Sequence, residues 1–106
     1  TTTVAVFAAS PHTSAGAINV DNVRYVRVTN LDSEATIELA IVTTNTNYQV
    51  RLTAGASHIL PRANESAIGE VDTSPAFGTM ENITSLQVRP DGAVYNPQVA
   101  VFVAAV

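Results

Sequence analysis

His12 and His58 are the only imidazoles in the 106-residue chain, and cysteine is absent. Acid–base, metal or thiol chemistry therefore starts from very little. A serine hydrolase needs a nucleophile, a base and a group that orients the base. His12 stands in Ser10-Pro11-His12, which reads as a loop, and no G-x-S-x-G elbow accompanies it. His58 begins an apolar strand beside Ile59 and Leu60, where a histidine capped by a hydrogen bond is the simpler reading. Two histidines cannot supply a three-ligand zinc site without carboxylates. Asp32-Ser33-Glu34 could offer oxygens to calcium, but the same residues are ordinary turn formers. Glu70 and Asp72 flank Val71 and share one face if that segment is extended. Paired carboxylates can hydrolyse glycosides, yet acids decorating a sheet edge are commoner. Nothing matches a phosphate loop or a dinucleotide fingerprint. The expectation is no enzyme, no cofactor and no metal site.

Binding residues are almost as sparse. The sequons Asn64-Glu65-Ser66 and Asn82-Ile83-Thr84 occur near chance in a chain rich in Asn, Ser and Thr. Of the six aromatics, Tyr95 beside Asn96-Pro97 is best placed to be an exposed platform; most of them fall among aliphatic strand neighbours.

The elements that would position such residues are strands. Val, Ile and Thr are abundant, Gly, Pro, Asn and Asp recur at short intervals, and no window shows a helical stripe. Strands are expected at residues 3–9, 22–30, 36–43, 48–52, 57–60, 82–89 and 98–105, with a weaker one at 66–71. Within 22–30, simple alternation sets Val23, Tyr25 and Arg27 against Arg24, Val26 and Val28. In 36–43 it sets Ile37, Leu39 and Ile41 against Glu38, Ala40 and Val42. Seven or eight short strands in a chain of this length predict one all-β domain over 1–106, an antiparallel β-sandwich. The disulfide and tryptophan of an immunoglobulin domain are missing, which favours a jelly-roll-like form.

Charge is distributed unevenly. Nine acids stand against five bases, net −4. The bases Arg24, Arg27, Arg51, Arg62 and Arg89 are scattered, which argues against a phosphate-binding stripe and hence against nucleic acid. No apolar run approaches a membrane-spanning helix. All charges lie between Asp21 and Asp91, so residues 1–20 and 92–106 carry none. The near-identical phrases VAVFAA at residue 4 and VAVFVAA at residue 99 fall within those ends. An uncharged strand left in water is an aggregation hazard. Either the two phrases pair side by side within the domain, or residues 1–20 form an arm that lies on a neighbouring subunit.

The stretch VRVTNLDSEATIELAIVTTNTNYQVRLTAGASHILPR, followed by NITSLQVRPDGAVYNPQVAVFVAAV, resembles small β-sandwich structural proteins of tailed bacteriophages. The shared style is strand, Asn-rich turn, strand, a Leu-x-x-Gly turn (here Leu52-Thr53-Ala54-Gly55) and an apolar strand, over roughly residues 22–106. The resemblance implies a capsid decoration or cement protein on the virion surface, a homo-oligomer and most often a trimer, clamping the major capsid protein. In that setting Val4, Val6 and Phe7 of the arm and Val99, Val101 and Phe102 of the last strand would form the interface. Arg24 and Arg27 would pair with acids on the shell. The alternative is a tail or fibre module recognising a glycan or protein, with Tyr95, Asn96, Asp32 and Glu34 at its patch.

Overall fold

Ile37, Leu39 and Ile41 alternate with smaller or polar residues, and a period of two places such a trio on one face of a strand. A computed structural model of the chain, describing residues 1–8, 16–69, 77–91 and 97–106, buries all three to 1% exposure or less. Eight strands run through the described residues: β1 (Thr2–Ala8), β2 (Ile18–Asn19), β3 (Val23–Asn30), β4 (Ile37–Thr43), β5 (Asn47–Leu52), β6 (Ser57–Leu60), β7 (Ile83–Pro90) and β8 (Val99–Ala105). They form two sheets, β2-β1-β7-β4-β5 and β6-β3-β8. Every pairing is antiparallel except the short β1–β2 contact.

The chain is thus an all-β sandwich, as its patterning predicts. It changes sheets at β2–β3, β3–β4, β5–β6, β6–β7 and β7–β8, and the crossings from β3 to β4 and from β6 to β7 interlock the pair β3/β6 with the pair β4/β7. Such Greek-key crossing is what lets consecutive strands cover each other's apolar faces. Phe7, Val26, Val28, Ile37, Leu39, Ile41, Leu60, Ile83 and Leu86 meet between the sheets, with Val88, Val99, Val101 and Val103 packed at the margin.

Asn30, fully buried at the end of β3, is with Thr43 one of two buried polar residues among the described residues. Its amide nitrogen donates to the Ala35 carbonyl at 2.8 Å and the Leu52 carbonyl at 3.1 Å. Those bonds tie the β6-β3-β8 sheet to both ends of the β4–β5 hairpin, and a satisfied amide is the only kind a core tolerates cheaply. The Leu-x-x-Gly turn closes through an Ala56 N–H bond to the Thr53 carbonyl at 2.9 Å. Gly55 takes φ +78° there, as the third residue of a type II turn requires.

Three expectations are corrected. β3 does not alternate simply: a bulge between Val23 and Tyr25 turns Val23 inward beside Val26 and Val28 and leaves Arg24 exposed. The two matching phrases do not lie side by side. β1 pairs with β7 and β2, whereas β8 pairs with β3 in the other sheet. Residues 66–71 supply only an isolated bridge, Ala67 to Glu81, within the described part.

Candidate functional site

The two sheets present different outer faces. On the three-stranded sheet, register places Ile59 of β6, Arg27 of β3 and Phe102 of β8 in one cross-strand row. The next row is Ser57, Thr29 and Ala100, with the Thr29 and Ser57 hydroxyls 2.8 Å apart. Tyr25 stands opposite Ala104. Phe102 is 51% exposed and Ile59 54%. The Arg27 guanidinium lies 5.6 Å from the Phe102 ring centre, and Tyr25 meets that ring edge-on at 5.9 Å. Such cation–π and edge-to-face contacts hold the ring and the cation in one place. The result is a small, ordered apolar surface with a single kind of charge.

This face ends in an open edge. β8 has a strand on one side only among the described residues. The Gln98 carbonyl accepts from Leu31 N–H at 2.8 Å, and Val106 N–H donates to the Asn22 carbonyl at 3.0 Å. Both groups point toward β3. Alternation along the strand then turns the N–H and C=O of Val99, Val101 and Val103 outward. No charge or proline interrupts residues 99–106, so two of the devices that usually blunt a sheet edge are missing from this strand.

The outer face of the five-stranded sheet is polar and internally paired. Arg89 Nε donates to Glu38 Oε1 at 2.6 Å, Gln49 donates to Asn47 at 3.2 Å, and Gln87 donates to Ser85 at 3.2 Å. Glu38, Asn47, Gln49, Gln87 and Arg89 rim an open groove of about 260 Å³ over Ala40 and Val42.

The eight residues expected at an interface are divided by this geometry. Arg27 and Phe102 come together on the apolar face. Val99 and Val101 turn their side chains to the core and their backbone to the open edge. Phe7 is 2% exposed and belongs to the core of its own chain. Val6, opposite Ser85, faces outward on the polar sheet, and Val4 sits at the β1 bulge. Arg24 donates to its own backbone, to the Asp21 carbonyl at 2.8 Å and the Val23 carbonyl at 3.2 Å. The exposure of Ile59 and the Tyr25 contact were missed, because Ile59 reads as core in an apolar strand and cross-strand neighbours are invisible along the chain.

The residues weighed for chemistry are occupied structurally. Asp32 accepts from the Ala35 and Glu34 N–H groups of its own turn, and those bonds hold its carboxyl below the usual range, Ala35 chiefly. His58 turns inward opposite Val28 with its ring edge-on to Tyr48 at 6.4 Å. Its Nε2 is buried without a protein partner among the described residues, so the expected hydrogen-bond cap is not there. Burial pushes its pKa down, and burial pushes the Tyr48 hydroxyl up. Glu81, which the sequence did not single out, accepts from Thr43 Oγ1 at 2.7 Å, Asn45 Nδ2 at 2.6 Å and Thr46 Oγ1 at 3.3 Å. These bonds, Thr43 first, lower its pKa. The donor-rich run Thr43–Asn47 was the available signal for such an acceptor. Among the described residues no three metal-ligating side chains cluster. His12, Glu70, Asp72, Tyr95 and Asn96 lie outside the described residues. In comparisons with known proteins, no family model, no curated protein and no solved structure matches the chain.

Proposed function

We propose that this chain is a non-enzymatic virion structural protein, one that decorates and cements a bacteriophage capsid by docking on the major capsid protein. The observation that carries the assembly reading is the row Ile59–Arg27–Phe102, two exposed apolar side chains flanking a cation stacked on a ring. The virion setting rests on the resemblance of residues 22–106. Burying such a face is favourable by about 25 cal/mol per Å² of apolar surface, and arginine is among the residue types enriched where the binding energy of interfaces concentrates. Repetition over a shell turns modest single contacts into strong collective attachment.

The test is composition of density-gradient-purified particles of the phage that encodes the chain. The chain is expected in them at a fixed ratio to the shell subunit, and Ile59→Asp is expected to leave particles bare of it while the variant accumulates folded in solution. A chain found only outside particles overturns the virion setting. A second reading, a glycan- or protein-binding module, is favoured by the amide-rimmed groove of Asn47, Gln49 and Gln87. Glycan-array binding that disappears on Gln87→Ala would put that reading first.

A further inference from the structure

We infer that β8 is a self-pairing strand, and that two copies of this chain join β8 to β8 about a two-fold axis at Phe102, making one continuous six-stranded sheet. The inference deepens the assembly reading by naming a second copy of this chain as the partner at the open edge. Four observations select that occupant.

The outward backbone groups belong to Val99, Val101 and Val103, and by the same alternation Ala105. An antiparallel copy centred on Phe102 sets Val101 against Val103 of the other chain and Val99 against Ala105, and in each pair the two residues can exchange both N–H···O bonds. The side chains fit that register. On the outer face Ala100 meets Ala104 of the other copy, small against small, and Phe102 meets its own image. Phe102 directs its backbone toward β3, so the two phenylalanines form a non-hydrogen-bonded pair, the closer kind, with Cβ atoms about 4.5–5.5 Å apart and well suited to aromatic contact.

Charge does not oppose the union. A second copy ordinarily brings like charges together, but residues 92–106 contain none. The nearest bases on this face, Arg27 and its image, stand on strands three spacings apart, about 14 Å at the usual strand separation, which exceeds the screening length at physiological salt. Finally, the exposed side of Phe102 is covered on one flank by its own Arg27, and the facing ring covers the other. The joined sheets carry the row Ile59–Arg27–Phe102 and its mirror image across one surface, which doubles the proposed docking face.

One edge pairing with itself closes at two copies, because the same patch is used by both. A three-fold assembly, which the phage resemblance implies, would need two different surfaces.

The experiment is light-scattering mass of the purified chain alone over a hundredfold concentration range, without any shell. The mass is expected to rise from the 11.1 kDa monomer toward twice that value. Phe102→Lys places two ammonium groups directly opposite and is expected to hold the mass at one chain. Phe102 is half exposed, so this variant should keep its melting transition. Mixing Phe102→Lys with Phe102→Glu is expected to restore the doubled mass, because only residues facing each other across the axis can complement in this way. Val103→Pro deletes an N–H that faces away from β3 and has no strand opposite it among the described residues, and it is expected to block doubling independently. A wild-type mass that stays at one chain, a plateau at three chains, doubling retained in both Phe102→Lys and Val103→Pro, or failure of the mixture to restore doubling would each overturn the inference. Ile59→Asp, two strands away from β8, is expected to double normally, which separates self-pairing from shell docking.

Discussion

The outer faces of the two sheets are built over the same core from the same kind of strand, yet they treat water in opposite ways. On the five-stranded sheet, outward groups satisfy one another: Glu38 with Arg89, Arg51 with Asp91, Gln49 with Asn47 and Gln87 with Ser85. The three-stranded sheet instead leaves Phe102 and Ile59 half in solvent, fixes Arg27 on the ring, and stops at an edge with no charge to protect it. Phe7 is instead buried to 2%. The difference teaches that the apolar row on this sheet is set by the register of β3 with β6 and β8.

The comparison breaks most completely when the shared core is removed. Leu39 is fully buried between the sheets, and Leu39→Ala is expected to cost about 2–5 kcal/mol, read by denaturant unfolding, with both sheets melting in one transition. Asn30→Ala is next. It leaves the Ala35 and Leu52 carbonyls without their donor and is expected to cost about 1–3 kcal/mol, loosening the tie between the sheets before either sheet's own ladder.

Acid sharpens the comparison along the β5–β6 margin. His58 has a lowered folded pKa, so the unfolded chain binds the proton first. Its stabilisation is complete above pH 6.5 and declines as the pH falls from there through the folded value. His58→Leu is expected to flatten that limb of a pH–melting-temperature profile. Glu81 has the same sign at lower pH: its hydrogen-bonded carboxylate stabilises above about pH 4.5 and is lost below, and Glu81→Gln should remove that second limb. Neither substitution touches the row Ile59–Arg27–Phe102, so association at neutral pH should be unchanged.

The smallest effects discriminate best. Arg89→Gln breaks an exposed pair and is expected to change stability by about 0–1 kcal/mol, with no change in association. Ile59→Asp is expected to move the melting transition as little, while abolishing attachment to shells. Equal stability with unequal association is the signature of a functional face.

How much of this was legible beforehand follows from how local each signal is. The alternation in β4 and β5 and the turn at Thr53–Gly55 act within a few residues, and the structure has them where the sequence put them. β2 is two residues long and exists only as a parallel partner for Phe7 and Ala8, so no periodicity announces it. The Val23–Tyr25 bulge inverts the facing of Val23 and Arg24, and an apolar residue on each side of the slip leaves alternation ambiguous. The missing charge at both ends drew attention to β1 and β8. It could not say that one would enter the core as Phe7 and the other would lie at an edge as β8, because that choice depends on sheet order. Arg27 and Phe102 were both marked for an interface, but their contact is a cross-strand register that sequence does not reveal.

The most direct measurement is residue-resolved amide hydrogen exchange of the chain at low and high concentration. Val99, Val101 and Val103 carry edge N–H groups that should exchange fast in the dilute chain, whereas Ala100 and Phe102, turned toward β3, should already be slow. The account predicts that concentrating the chain slows the odd-numbered amides selectively and leaves the edge amides of β5 as they were. Unchanged fast exchange along β8, with protection appearing on β5 instead, would contradict the claim that the three-stranded sheet is the associating half of the molecule.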